Sequence, residues 1–135
     1  RAQTRRLVAW FDQKMYREAT KPLLIEKVEK RLRTHGMPDS GAIRVALGNA
    51  RAHLSAIGDL AEERRWLAGD ELSLADLAAA GQVSVLDYLG AIAWEQQGAA
   101  KDWYARLKSR PSFRPLLSDL MPGLVPAPHY SDLDF

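Results

Sequence analysis

The chain has 135 residues, no cysteine and a net charge of +2 at neutral pH. This length suits a single domain with its own core, and the lack of cysteine excludes disulfides, thiolate metal sites and a cysteine nucleophile. The small net charge gives no indication of nucleic-acid binding, and no apolar run approaches the roughly 20 residues of a membrane span. We therefore expect neither nucleic acid nor a membrane as a partner, and a location in the reducing cytoplasm.

The charge is distributed unevenly along the chain. Residues 1–35 carry a net charge of +6, residues 36–117 a net charge of −1, and residues 118–135 a net charge of −3. Solvated helix faces account for such a pattern, and so does a polarised surface that meets a partner. The charge pattern alone does not choose between the two.

In chain order, the first predicted element is a helix over residues 4–18. Its apolar side chains cluster on one side of a helical wheel: Leu7, Val8, Phe11 and Met15. Pro22 is expected to interrupt or kink the path before a second helix at about 22–34. A long helix at about 41–65 follows, because apolar residues recur there at spacings of four and three. They form a seam of Ile43, Leu47, Ala50, Leu54, Ile57 and Ala61.

The next segment carries a complete helix-start signal. Ser73 is a candidate N-cap, and the Asp76 carboxylate can accept the N–H of Ser73, which makes an Asp variant of the capping box. Leu72 and Leu77 occupy the two positions of a hydrophobic staple. The helix that follows, 74–89, is apolar nearly all round, so we expect it at the centre of a helical core.

The last third of the chain is broken by glycine and proline. A loop with a short turn near Trp94 precedes a helix over 100–110, which Pro111 ends. Residues 112–120 are expected to form a short final helix, and the Pro-containing tail is expected to be extended. The fold class is therefore all-α, with a helical domain over residues 1–121 and a tail over residues 122–135.

Trp10 lies off the apolar stripe of the first helix, among basic residues that include Arg6 and Lys14. An indole beside cations is explained by a plain cation–π contact. It is equally explained by a cleft for an aromatic or anionic ligand, or by an anchor for a partner. Arg6, Trp10 and Lys14 are therefore the candidate ligand or partner cleft.

The sequence nominates no catalytic group. The histidines His35, His53 and His129 lack the spacing of metal ligands, so no metal site is expected and an ordinary structural role is favoured for each. Asp87 lies in the most apolar helix and needs a partner if it is buried. A hydrogen-bonding role is favoured for Asp87 over a catalytic one.

The tail mixes aromatic and acidic side chains. It either folds back over the domain or presents a peptide to a partner. The candidate residues for partner binding are Tyr130, Asp132, Asp134 and Phe135.

These features resemble the C-terminal helical domain of cytosolic glutathione S-transferases (GST). The resemblance covers nearly all of the chain and includes WLAGDELSLADLAAA at 66–80 and WYARLKSRPSFRPLL at 103–117. It implies a bundle around the buried helix 74–89, a structural role for Ser73 and Asp76, and a homodimer through the two helices before the capped one. It also implies an N-terminal thioredoxin-like domain, absent from this chain, that holds glutathione and the group that activates its thiol. No catalytic residue and no cofactor are expected in this domain.

Residues 86–117 and the tail 129–135 are similar to an alphaproteobacterial subgroup of transferase-like proteins that contains an FtsZ-binding regulator of cell division. This similarity implies a dimeric scaffold that binds FtsZ filaments in the cytoplasm. The alternative is an active glutathione transferase in which this domain forms the hydrophobic wall of the electrophile pocket. Whether the whole protein is an enzyme stays open at this point.

Overall fold

The structure is a computed structural model that describes residues 1–133 and 135. Within that range the chain is a bundle of helices without a strand, and its two β-bridges only close short turns at Trp66–Gly69 and Met121–Leu124. The predicted all-α class is confirmed for the described part of the chain.

One helical path opens the chain, and residues 2–34 are called the opening helix below. It joins α1 (Ala2–Ala9), a π-helical segment (Trp10–Thr20), α2 (Lys21–Leu24) and a second π-helical segment (Ile25–Thr34). The residues at the junctions keep right-handed helical φ and ψ angles. Of the two expected effects of Pro22, an interruption was therefore wrong, and a kink stays a prediction. His35 ends the path with a φ of 53°.

Pro22 is accommodated because a neighbouring helix supplies a donor. Proline has no N–H to give to the carbonyl four residues earlier, which belongs to Glu18. The side-chain amide of Asn49 donates to that carbonyl at 3.0 Å. The sequence predicts the missing donor but not this replacement, because Asn49 lies on another helix.

The long helix α3 (Ser40–Arg64) packs against the opening helix and against the C-terminal helix described below, and its predicted seam is confirmed. Its first turn is capped by the Asp39 side chain, which accepts the N–H groups of Gly41 and Ala42 at 2.9 and 3.1 Å. Gly58 allows α3 to approach the start of the helix Gly98–Lys108, since a Cβ there would lie 3.2 Å from the Cβ of Ala99. The seam residues lie in the core or pack against it.

The capped helix α4 (Leu74–Tyr88) starts where the capping box predicts. It packs against α1 and the first π-helical segment of the opening helix, and most of its side chains are buried. Burial is not complete, because Leu74 is 67% exposed and Leu77 is 47% exposed. The predicted position of this helix in the core is confirmed, whereas the Leu77 half of the predicted staple lies at the surface.

The C-terminal elements follow the predicted order. A 3₁₀ turn (Trp94–Gln96) precedes α5 (Gly98–Lys108), and α6 (Arg114–Leu117) is shorter than the predicted 112–120. The tail then turns back on the bundle, and the N–H of Ala127 donates to the carbonyl of Tyr88 at 3.0 Å. Its path consists largely of turns rather than of one extended stretch.

Candidate functional site

Ser73 and Asp76 form the predicted capping box at the start of α4. The Asp76 carboxylate is fully buried and accepts the N–H of Ser73 at 3.0 Å through one oxygen. Its other oxygen accepts the N–H of Leu67 and the indole Nε1–H of Trp103, both at 2.9 Å. Asp76 therefore joins the loop before α4, the first turn of α4 and the middle of α5. Both of its carboxylate oxygens accept hydrogen bonds that stabilise the fold.

Trp10 takes part in a chain of polar contacts that sequence reasoning had not assembled. Its Nε1–H donates to Nδ1 of the buried His53 at 3.3 Å. Because Nδ1 accepts, the proton of the neutral ring lies on Nε2, which donates to Glu18 Oε1 at 2.8 Å. The hydrogen bond from His53 lowers the pKa of Glu18, and Lys14 acts in the same direction.

The predicted cleft residues are placed on one exposed flank of the opening helix. The Lys14 ammonium lies 5.0 Å from the centre of the Trp10 ring and 3.3 Å from Glu18 Oε2. Arg6 is exposed and hydrogen-bonds the Gln3 side chain one turn away. Trp10 itself is 42% exposed. The cation–π contact is thus present with Lys14, whereas a ligand cleft at these residues stays a prediction.

Asp87 is the second buried carboxylate of the bundle, and its expected hydrogen-bonding role is confirmed. Its Oδ1 accepts the Nε1–H of Trp94 and shares a hydrogen bond with Nε2 of His129, both at 2.8 Å. Within the part of the chain that the structure describes, its Oδ2 is buried without a hydrogen-bond partner. The partner from the tail, His129, could not be identified from spacing because 42 residues separate it from Asp87.

The tail also covers a buried lysine. Lys108 is fully buried, and its ammonium donates to the carbonyl of His129 at 3.3 Å. The same ammonium lies 4.2 Å from the centre of the Phe135 ring and 5.4 Å from that of Tyr104. Burial lowers the pKa of Lys108, although the negative charges of Asp87 and Asp132 oppose this shift.

The other candidate residues of the tail differ in exposure. Tyr130 is buried against Tyr88, with ring centres 4.9 Å apart, and Phe135 packs on Trp94 at 4.8 Å. Asp132 is exposed. Asp134 lies outside the described residues. Of the two alternatives for the tail, the structure has the described residues folded back over the domain.

The tail is also fastened further upstream by one hydroxyl. Tyr88 Oη donates to the carbonyl of Leu124 at 2.6 Å and accepts the N–H of Met121 at 2.8 Å. The turn between them is held close to the opening helix, since a Cβ at Gly123, whose φ is 82°, would lie 3.2 Å from Leu32. The segment 121–127 is therefore a positioned strap across the end of α4.

Residues 1–133 and 135 contain no cluster of three or more His, Cys, Asp or Glu side chains that could hold a metal ion. Nor does any described helix combine the length and the apolar character needed to cross a membrane.

Several proteins are similar to this chain, in sequence and in structure, over its full length. FtsZ-localized protein A from Caulobacter vibrioides is 53% identical over all 135 residues, which span 59% of that protein. The structure of FzlA from C. crescentus matches with a TM-score of 0.96 and 53% identity, over all of this chain and 60% of that one. A glutathione S-transferase from Rhodospirillum rubrum F11 matches with a TM-score of 0.95 and 52% identity, again over 100% and 60%.

The family model for the C-terminal domain of glutathione S-transferase matches residues 39–111. The match includes α3, the capping box, α4 and α5, which supply much of the core, whereas the opening helix lies outside it. The chain belongs to the family of glutathione S-transferase C-terminal domains.

Proposed function

We propose that the protein is a cytoplasmic, FtsZ-binding regulator of bacterial cell division that uses the transferase fold as an interaction scaffold. The observation that carries the proposal is the 53% identity to FtsZ-localized protein A, which extends through the tail to the last residue of the chain. A relationship confined to the core would support only the scaffold. Because the aligned length includes the tail, the tail is the candidate for that surface in this proposal.

The folded tail supplies the binding surface in this proposal. Tyr130 and Phe135 are engaged with the domain, so a partner meets the tail through its exposed groups, of which Asp132 is one. A docked tail has already lost its conformational freedom before binding, which lowers the entropic cost of association.

Co-pelleting with polymerised FtsZ tests the proposal. We expect the full-length protein to pellet with FtsZ filaments, and Asp132→Asn to reduce the bound fraction. Asp102→Asn, at an exposed position on α5, is the matched control and should pellet like the wild type. Deletion of residues 129–135 should abolish pelleting, with circular dichroism to verify that the bundle is intact. Absence of the wild-type protein from the pellet would refute the proposal.

The proposed scaffold is a homodimer in which a thioredoxin-like domain precedes the present chain. The chain spans about 60% of the length of its relatives, which supports the second domain. A groove of about 530 Å³ between the opening helix and α3 supports a dimer face there, because Val45 at its edge is 65% exposed and Arg17 and Pro22 line it.

A second candidate function is glutathione conjugation. It is favoured by the match to the Rhodospirillum rubrum structure, which is named a glutathione S-transferase. In that case the family resemblance assigns glutathione to the thioredoxin-like domain, and no residue described here is proposed to hold it. Turnover of a chromogenic electrophile by the full-length protein, with retention on a glutathione resin, would establish this function. A full-length protein that shows neither turnover nor retention on the resin would refute glutathione conjugation.

A further inference from the structure

A cavity lies where the opening helix, α3, α4 and the tail meet, away from the Trp10 flank. It measures about 690 Å³ and is bordered by the C-terminal part of the opening helix, the start of α3, the end of α4 and residues 124–127 of the strap. Cavities of roughly 300–1,000 Å³ are the size that usually accommodates ligands or anchoring side chains. We call it the strap groove.

One side of the strap groove is basic. Lys27, Lys30, Arg31 and His35 all contribute to its lining, and Glu26 is the single acidic residue among the lining groups. Glu26 is already engaged, since Oε1 accepts the Lys30 ammonium and the N–H of Asp39, each at 2.7 Å. The hydrogen bond from the Asp39 backbone, together with Lys30, lowers the pKa of Glu26. The negative charge of Glu26 is therefore already engaged by these two groups.

With Lys30 paired to Glu26, two cations of the lining determine the electrostatic potential of the groove. Lys27 and Arg31 are four residues apart on the opening helix and line the same cavity. Within residues 1–133 and 135, neither forms an ion pair with a carboxylate. Like charges at this spacing repel each other slightly, so the arrangement gives the isolated helix no benefit. An incoming carboxylate would relieve that repulsion.

The opposite side of the strap groove is apolar and held in place. Leu124, Pro126 and Ala127 form it together with Leu89 and Ile43. The strap is fixed by the hydroxyl of Tyr88 and by the hydrogen bond from Ala127 to the Tyr88 carbonyl, as described above. At the rim Val125 is 87% exposed. A preformed apolar wall opposite two cations therefore needs no rearrangement to receive an occupant.

We infer that the strap groove is a docking site for an acidic peptide segment of a partner protein, with apolar side chains against the strap and carboxylates against Lys27 and Arg31. Charge complementarity selects the acidic character. The exposed rim selects a segment rather than an enclosed small molecule, because small-molecule pockets bury most of the surface of their ligand. The inference is independent of the tail surface proposed for FtsZ, and each can fail without the other.

Fluorescence polarisation with labelled ten-residue peptides tests the inference on the full-length protein. One peptide combines Asp and Leu, a second combines Asp and Ser, and a third combines Lys and Leu. We expect the Asp/Leu peptide to bind best, with an affinity that falls as salt is raised, because exposed charges are screened. The double variant K27E/R31E should weaken this binding by at least about tenfold, as expected when attraction becomes repulsion.

The control is K21E/R44E, which makes the same change in net charge at exposed positions that do not line the groove. It should bind the Asp/Leu peptide like the wild type. The inference is overturned if that peptide does not bind, if both double variants weaken it equally, or if the Asp/Ser or Lys/Leu peptide binds as well. It is also overturned if K27E/R31E abolishes binding to phosphatidylglycerol vesicles while the Asp/Leu peptide remains without affinity, because the face then serves a membrane.

Discussion

Replacing Asp76 tests whether one buried carboxylate holds three parts of the bundle together. The Asp76→Ala change removes the acceptor for the Ser73 N–H at the helix start, a loss of about 1 kcal/mol for a cap of this kind. It also leaves two donors on fully buried residues without an acceptor, namely the N–H of Leu67 and the indole N–H of Trp103. A buried donor without a partner costs about 1–3 kcal/mol.

These contributions lead us to expect a loss of about 3–5 kcal/mol for Asp76→Ala, after allowance for the relief of burying a charge. Ser73→Ala should cost only about 1 kcal/mol, because it removes the cap but leaves both buried donors satisfied. Asp76→Asn should fall between the two. Its carbonyl can still accept from Leu67 and Trp103, whereas its amide group faces the Ser73 N–H, another donor.

Urea denaturation followed by far-UV circular dichroism measures the three free energies of unfolding. Asp102→Ala, at an exposed position on α5, is the control and should stay within about 0.5 kcal/mol of the wild type. If Asp76→Ala proves too unstable to study, the losses of stability for Ser73→Ala and Asp76→Asn can be compared instead. The reasoning then requires the larger loss for Asp76→Asn. Equal losses for Asp76→Ala and Ser73→Ala would refute the reasoning, since Asp76 would then act only as a cap.

Three further predictions rest on particular contacts. Asn49→Ala should cost about 1 kcal/mol in the wild type and less in a Pro22→Ala background, where residue 22 regains its N–H; a double-mutant cycle without coupling would contradict this account. Because the pKa of Lys108 is lowered from 10.5, the unfolded chain binds more protons above the folded pKa. The stability of the wild type relative to Lys108→Met should therefore rise as pH increases from the folded pKa toward 10.5 in urea denaturation, and a flat or falling difference up to 10.5 would count against the shift. Val45→Glu should convert the proposed dimer to a monomer in light scattering, whereas Leu120→Glu, equally exposed at 66%, should not; an unaffected dimer would place the interface elsewhere.

The helices were predictable wherever the signal is local. The capping box at Ser73 and Asp76 involves residues three positions apart, so its geometry follows from the helix start itself. The seam of α3 follows from helical periodicity in the same way. Pro22 marks the limit of such reasoning, because its cost depends on whether another element supplies a donor, and Asn49 does so from α3.

The candidate site was predictable only in part. Trp10 and Lys14 lie four residues apart on one helix, so their contact could be anticipated. The link from Trp10 through His53 to Glu18 could not, because His53 lies 43 residues from Trp10 and carries no distinctive spacing. The strap groove was also missed. Its basic side comes from one helix and its apolar side from the tail, and no sequence pattern relates the two.

By itself, the sequence determined the all-α class, the start of the central helix and the structural character of Ser73 and Asp76, because hydrogen bonds within one helical turn and apolar periodicity are properties of neighbouring residues. Only the tertiary structure decided what those elements meet. It brought Leu67 and Trp103 to Asp76, and His129 to Asp87. Buried polar groups require partners, but any compatible group that the fold brings near can serve, so the choice belongs to the packed chain.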